Sequence, residues 1–334
     1  MDTTTHAPFE EAGVANRTEF GPLGVSGRLR GRSVLDDADL APDEIAELLQ
    51  TATRLKTLRR TGQPHTHLSG KTIGLLFQHP STRTRTAFQV GMEQLGGQAI
   101  FLGVQDLQLK RGETIGDTAQ IMSRMVNAIA VRVANHDDLL DFAAGATVPV
   151  FNALTAKCHP IEPLGDLLAM QERFGELRGL KFTYLGDGNN VCHSLLMSCS
   201  AMGMSVAVAV PEEYQPDAAV VTRARRLAAA SGATILITDD VKAAVADADA
   251  VYTDVHQSMG EADDTLKATR LAPYRVTMEV MADAKPTAVF MHCLPMRRGE
   301  EVDADVADGP QSIIFDQAEN RLHLHKALLL QTLW

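Results

Sequence analysis

A chain of 334 residues, 45% hydrophobic and 22% charged, is too long for one ordinary core and is expected to divide into two domains. Its formal net charge of −11 argues against a nucleic-acid partner held by general electrostatics, whereas a local basic pocket in so acidic a protein would favour a small anion. No apolar run reaches the roughly 18 to 20 residues of a membrane span, and Cys158, Cys192, Cys199 and Cys293 show neither metal nor redox spacing, so no membrane partner and a reducing, cytoplasmic setting are expected.

Residues 1–32 are rich in Gly, Arg, Glu and Pro without periodicity, which predicts an N-terminal arm. From Asp39 to Lys56 apolar residues recur at Leu40, Ile45, Leu48, Leu49, Ala52 and Leu55, the spacing of an amphipathic helix. Thr72 to Phe77 is an apolar run ending in a Pro-Ser turn, with a helical pattern through Ala87, Phe88, Gly91 and Leu95 directly after it. Strands are predicted at Ala99–Leu102, Ala128–Val133 and Val148–Asn152, with helices around Thr118–Val126 and Asp137–Ala144. His159-Pro160-Ile161-Glu162 opens a helix to about Phe174, a bridge between domains, with Pro160 in the first turn where its missing N–H costs nothing.

The pattern then restarts. Strands are expected at Lys181–Leu185, Ser205–Val210, Thr234–Ile237, Ala250–Asp254 and Ala288–His292, with helices at Val191–Met202 and Ala218–Ala230 and a closing helix at His323–Leu333. Short apolar strands alternating with helices indicate α/β architecture: two similar domains, each with a central parallel sheet flanked by helices. Gly186-Asp187-Gly188 lacks the third glycine of a dinucleotide loop, because position 191 is valine.

Polar residues gather where these strands end, which is where open α/β sheets place ligands. After Phe77 come Ser81, Thr82, Arg83, Thr84 and Arg85: hydroxyls and forked cations at a helix N-terminus, whose unpaired N–H groups suit a dianion such as phosphate. The loop is not a Walker motif, so phosphate binding is suggested and nucleotide hydrolysis is not. The plain alternative is an N-cap serine with solvated arginines. Arg132 ends a further strand and is either a third arginine for the anion or a surface residue. Asn152 and Asn190 are ligand amides or turn residues, Asp254 is a candidate ammonium partner, and His159 either donates to a substrate oxygen or caps its helix. Cys293 reads as a buried structural thiol before it reads as a nucleophile. No H-E-x-x-H or C-x-x-C is present, so no metal is expected.

Taken in order, Ser81-Thr82-Arg83-Thr84-Arg85, His159-Pro160, Asp187-Gly188-Asn189-Asn190, Asp254 with Ser258-Met259-Gly260, His292-Cys293-Leu294-Pro295 and Ala318-Glu319-Asn320-Arg321 resemble ornithine carbamoyltransferase, of the aspartate and ornithine transcarbamylase family, over about residues 33–333. The resemblance implies a carbamoyl phosphate domain at 33–160, completed by a closing helix at 318–334, and an amino-acid domain at 161–317. It implies a homotrimer or a multiple of it, with sites between subunits, carbamoyl phosphate and L-ornithine as substrates, and no metal or organic cofactor. Ser81, Thr82, Arg83, Thr84, Arg85 and Arg132 would then hold the phosphate, with Gln108 reaching it from a neighbouring subunit. His159, Glu162, Cys293, Leu294 and Arg321 would surround the carbamoyl group. Asn152, Asn190, Asp254, Ser258 and Met259 would orient ornithine, and Arg132, His159, Asp254, Cys293 and Arg321 would serve catalysis.

Departures from the family pattern accompany the match. Glu162 stands where the family's His-Pro-x-Gln has glutamine, and a carboxylate beside a phosphate dianion costs Coulomb energy unless it is protonated or turned away. His79 replaces a lysine ahead of the phosphate loop, and His256 a tryptophan before Ser-Met-Gly. These changes keep alive two alternatives: a carbamoyltransferase for another amine, such as a modified ornithine, lysine or putrescine, and a weak relative that binds carbamoyl phosphate without turnover.

Overall fold

The computed structural model describes residues 21–103, 106–257 and 264–334, without the side chains of 109 and 110. Most of the expected arm, along with Ser258, Met259 and Gly260, lies outside the described residues. The described part of the arm packs inward, since Val25 and Leu29 are buried in the core.

Each half of the chain builds one sheet. The first contains β1 (Thr72–Phe77), β2 (Gln98–Gly103), β3 (Ala128–Arg132) and β4 (Val150–Asn152) in the order β2-β1-β3-β4, accompanied by α1 (Pro42–Arg60), α2 (Thr82–Gln94), α3 (Ile115–Ser123) and α4 (His136–Gly145). Helix α5 (Glu162–Phe174) leads to the second sheet, β5 (Lys181–Leu185), β6 (Ser205–Ala209), β7 (Ile235–Thr238), β8 (Ala250–Thr253) and β9 (Val289–His292), ordered β7-β6-β5-β8-β9. Around it lie α6 (Asn190–Ala201), α7 (Ala218–Ser231), α8 (Val241–Val245), α9 (Thr265–Leu271), α10 (Met278–Asp283) and α11 (Ala304–Ala307). All strand pairs among the described residues are parallel, as short apolar strands joined through helices favour, with exposed positions only on the edge strands β2 and β7. Finally α12 (Ile314–Leu333) returns to pack on α1, α2 and α5.

The largest core is shared between the halves. It joins Leu48, Phe88 and Phe151 to Tyr184, Val208 and Tyr252 through Leu164 and Leu168 of α5 and Leu324 and Leu328 of α12. Helix α5 is buried continuously from Glu162 to Met170, so it reads as apolar only in part and must carry its polar groups inside. Helix α12 begins nine residues' worth of sequence earlier than the apolar pattern suggests, at Ile314 rather than His323. Its first turns contain Gln317, Asn320 and Arg321, all buried, and buried polar residues hide the helical period.

Within each sheet the chain reverses direction of growth beside its first strand. Strand β1 lies between β2 and β3, and β5 lies between β6 and β8, which opens a crevice at each pair of carboxyl ends. The register sets Phe77 beside Arg132 in the first sheet, and Thr253 beside both Leu185 and His292 in the second. The turn after β5 needs glycine for reasons of space: a Cβ on Gly188 would lie 2.3 Å from the Pro216 nitrogen. That close approach explains the Gly-Asp-Gly run without a phosphate.

Candidate active site

At the end of β1, Ser81 caps α2, its Oγ accepting the Thr84 N–H at 3.3 Å. The next residue but one, Arg83, sends its guanidinium across to the second sheet, where it donates to the Leu294 carbonyl. Arg132, buried at the end of β3, donates to the Ala153 carbonyl at 3.3 Å. Arg321 reaches in from α12 and donates to Thr84 Oγ1 at 2.6 Å. Burial, together with the neighbouring Arg321 and Arg83 guanidinia, pulls Arg132 down to about 10. Arg83 is lowered by burial and by Arg321 in the same way. Such mutual repulsion marks a pocket built to receive an anion.

Inside this group lies Glu162, with Oε2 2.6 Å from Arg321 Nη2 and 3.0 Å from His159 Nε2. The His159 contact is close but lacks hydrogen-bond alignment, so Nε2 has no bonded partner by angle. Burial alone would raise the Glu162 carboxyl, but Arg321, with His159 and Arg83 behind it, overrides this and brings it down to about 2. His159 is lowered, chiefly by burial and with Arg321 and Arg132 adding to it, so its ring is neutral at pH 7. Among the described residues, Arg83 Nε, Arg321 Nε, His159 Nδ1 and Glu162 Oε1 are buried without hydrogen-bond partners. Buried polar atoms unpaired within the protein and gathered in one crevice suit the recognition of a polar ligand.

On the second sheet, Asp254 follows β8. Its Oδ2 accepts from Asn189 Nδ2 at 2.9 Å, while Oδ1 accepts the Val255 N–H at 2.8 Å and the Cys293 thiol at 3.0 Å. Burial pushes the Cys293 thiol up, and Asp254 adds to this, so it is a hydrogen-bond donor and no thiolate. Leu294 is left-handed, with φ at 60°. Its N–H donates to His292 Nδ1 at 2.8 Å, which leaves Nε2 protonated and facing the buried Glu301 at 3.1 Å. That pair fixes the peptide whose carbonyl Arg83 holds.

The other sequence candidates are placed differently. Arg85 is exposed, stacked over Phe101 at 3.6 Å and bonded to Gln89, so it faces away from Arg83. Thr82 and Gln108 are exposed. Asn152 is buried, and its amide is engaged by the Leu35 carbonyl and the Leu154 N–H. Asn190 donates to the Thr155 carbonyl at 2.7 Å. His79 is partly buried, and His256 is buried with Nε2 unpartnered among the described residues.

Sequence reasoning missed Asp166 and its partners. Asp166 accepts from Gln317 Nε2 at 2.7 Å and from the Tyr252 hydroxyl at 3.2 Å, tying α5, α12 and β8 together. Burial and the nearby Glu162 push its carboxyl well above the usual range, so it carries a proton. One signal was available: Asp166 lies four residues after Glu162, on the same helical face.

Two described clusters bring carboxylate, imidazole and thiol together, Asp36 with His136 and Cys158, and Asp254 with His292 and Cys293. Lys157 and Arg223 already neutralise Asp36. In the second cluster both nitrogens of His292 are engaged by Leu294 and Glu301. Neither donor set fits a cation.

Comparison with known proteins agrees with this geometry. Residues 32–172 match the carbamoyl-P binding domain of aspartate/ornithine carbamoyltransferase, and residues 178–332 match its Asp/Orn binding domain. The chain is 48% identical over 304 residues to an ornithine carbamoyltransferase of Pyrococcus abyssi, covering 90% of this chain and 95% of that one. It is 49% identical over 302 residues to that of Symbiobacterium thermophilum, covering 90% and 97%. Among solved structures, ornithine carbamoyltransferase from Pyrococcus furiosus superposes with a TM-score of 0.89 at 47% identity, covering 91% of this chain and 98% of that one. That of Gloeobacter violaceus gives 0.82 at 40%, covering 92% and 100%. With both domains matched and each relative covered almost end to end, the chain belongs to the aspartate/ornithine carbamoyltransferase family.

Proposed function

We propose that the protein transfers the carbamoyl group of carbamoyl phosphate to the side-chain amine of L-ornithine, giving L-citrulline and phosphate. The observation that carries this reading is the convergence of Arg83, Arg132, Arg321 and His159 on one crevice above the N-terminus of α2. On this reading the phosphate sits on the α2 N–H groups with Ser81, Thr82, Arg83, Thr84 and Arg132, and the carbamoyl oxygen faces His159 and Arg321. The Leu294 carbonyl accepts from the carbamoyl NH2, and Asp254 with Cys293 meets the incoming amine.

The neutral δ-amine donates its lone pair to the carbamoyl carbon, forming the C–N bond and a tetrahedral oxyanion. Collapse breaks the bond from carbon to the phosphate oxygen, and the departing phosphate takes the amine's proton. Arg321 and His159 stabilise the oxyanion, and Arg83 and Arg132 the leaving group. Holding both substrates in one crevice supplies the remaining advantage.

On this reading the enzyme works in the cytoplasm as a homotrimer with Gln108 crossing to a neighbour's site; the exposure of Gln108, and of Ile100, Ile121 and Met125 in the first domain, supports the subunit contact. A panel of amines with carbamoyl phosphate, scored by phosphate release and product mass, tests the reading. Ornithine-dependent citrulline is the expected result. Preference for lysine, putrescine or a modified ornithine, or binding without any product, would overturn it.

A further inference from the structure

Glu162 is a group that an anion pocket does not need. Its carboxylate and the His159 ring are both almost wholly buried, 3.0 Å apart. The His159 backbone N–H is anchored on Ser194 Oγ at 2.9 Å, and ring Nδ1 is buried with no hydrogen-bond partner. The other charged or titratable groups facing Glu162 come from every element around it: Arg83 on α2, Arg132 on β3, Asp166 one turn along α5, Tyr252 on β8, Cys293 after β9, and Arg321 and His325 on α12.

Their protonation is settled by their surroundings. The arginines stay charged. Asp166, Tyr252 and Cys293 are held protonated by burial, and burial keeps His325 neutral with Nδ1 donating to the Arg321 carbonyl. His159 is the group left whose proton occupancy can change near neutral pH. In the free protein burial outweighs Glu162 and keeps the ring neutral, with the Arg321 and Arg132 guanidinia adding to burial. A phosphate dianion lodged on Arg83 and Arg132 cancels those positive charges and leaves the imidazole facing two anions.

Building on the proposed function, we propose that Glu162 is a positioning residue that charges His159: carbamoyl phosphate binds with uptake of one solvent proton, and the imidazolium, held by Glu162 at Nε2, donates from Nδ1 to the carbamoyl oxygen. Free protein, substrate dianion and one proton combine, and no covalent bond is made or broken in this step. A cationic donor stabilises the oxyanion that develops next more strongly than a neutral one. The proton returns to solvent when phosphate departs.

The sign follows from linkage. A group whose pKa is higher in the complex supports binding below that pKa, and the support is lost as pH rises through it. Titration calorimetry with carbamoyl phosphate alone at pH 7.5, in buffers of different ionisation enthalpy, reads the uptake directly. The wild-type protein is expected to take up between half and one proton. Glu162→Gln is expected to bind with almost none, and Glu162→Asp to recover part of it. The apparent Kd of the wild type should weaken by up to about tenfold per pH unit above neutrality, while that of Glu162→Gln stays level. Binding without proton uptake in the wild type, or equal uptake in wild type and Glu162→Gln, would overturn the inference and leave the proposed function standing. No binding by the wild type would overturn both. The wild-type titration decides the matter even where a variant fails to fold.

Discussion

Arg83 belongs by sequence to the first domain and by contact to both, because its guanidinium spans from α2 to the Leu294 carbonyl. Removing a charged hydrogen-bonding group of this kind costs about 1.5 to 3 kcal/mol. Arg83→Ala is therefore expected to weaken carbamoyl phosphate binding by roughly 10- to 100-fold, measured by calorimetry, with the fold intact by circular dichroism. Asp166 offers a test of a different kind. Its folded-state carboxyl is raised, so the native protein binds more protons than the unfolded chain, and stability falls as pH climbs above the unfolded carboxyl range. Asp166→Asn mimics the protonated acid and removes that loss. Melting scans should show the variant gaining on wild type from pH 5 to pH 8; a constant difference between them would contradict the assignment. Arg132 is legible in the sequence because it directly follows an apolar run, and Arg83 because it sits among hydroxyls in the turn between such a run and a helix. Asp166, Tyr252 and Gln317 are not, since their partners lie 86 and 151 residues away and no local spacing encodes such pairings.

At the scale of elements, α2 ties stability to ligand. Ser81→Ala removes the cap and is expected to cost about 1 kcal/mol of stability, read by urea unfolding. Because the same turn receives phosphate on the proposed reading, the stabilisation that added phosphate gives should shrink in the variant as well. The strands are readable to within a residue or two because the strands of a parallel sheet, buried almost throughout in the central ones and partly in β2 and β7 at the edges, are short apolar runs. Helices with buried polar residues were not. Arg321, His323, His325 and Lys326 all lie inside α12, Lys326 bonded to His65 and Gln94 and pulled down by burial to about 8. A helix buried on most sides gives no clean amphipathic stripe. Arg85 shows the reverse failure: the motif makes it a phosphate ligand, while a face of Phe101, brought alongside by β2, gives its guanidinium another place to rest.

For the molecule as a whole, the proposed trimer makes a sharp demand of the first domain. Met125 is 73% exposed, an unusual state for so large an apolar side chain. Met125→Glu is expected to shift sedimentation from trimer to monomer and to cut turnover at least about tenfold if a charge there breaks subunit contact. An unchanged trimer would place the contact elsewhere. The two-domain division is readable from the repeated strand and helix pattern, whereas the fusion of both halves into one core through α5 and α12 is not, because long-range packing leaves no trace in local periodicity.

The return of α12 to the first sheet has a consequence for biogenesis. While the chain emerges from the ribosome, α1, α2 and α5 are complete long before Leu324, Ala327 and Leu328 exist to cover them. Apolar surface on the earlier half therefore stays uncovered until the last turns are translated, a state in which nascent chains are prone to aggregate. Since Gly21 rests against Trp334, a circular permutant that begins with α12 would let that half mature as it is made.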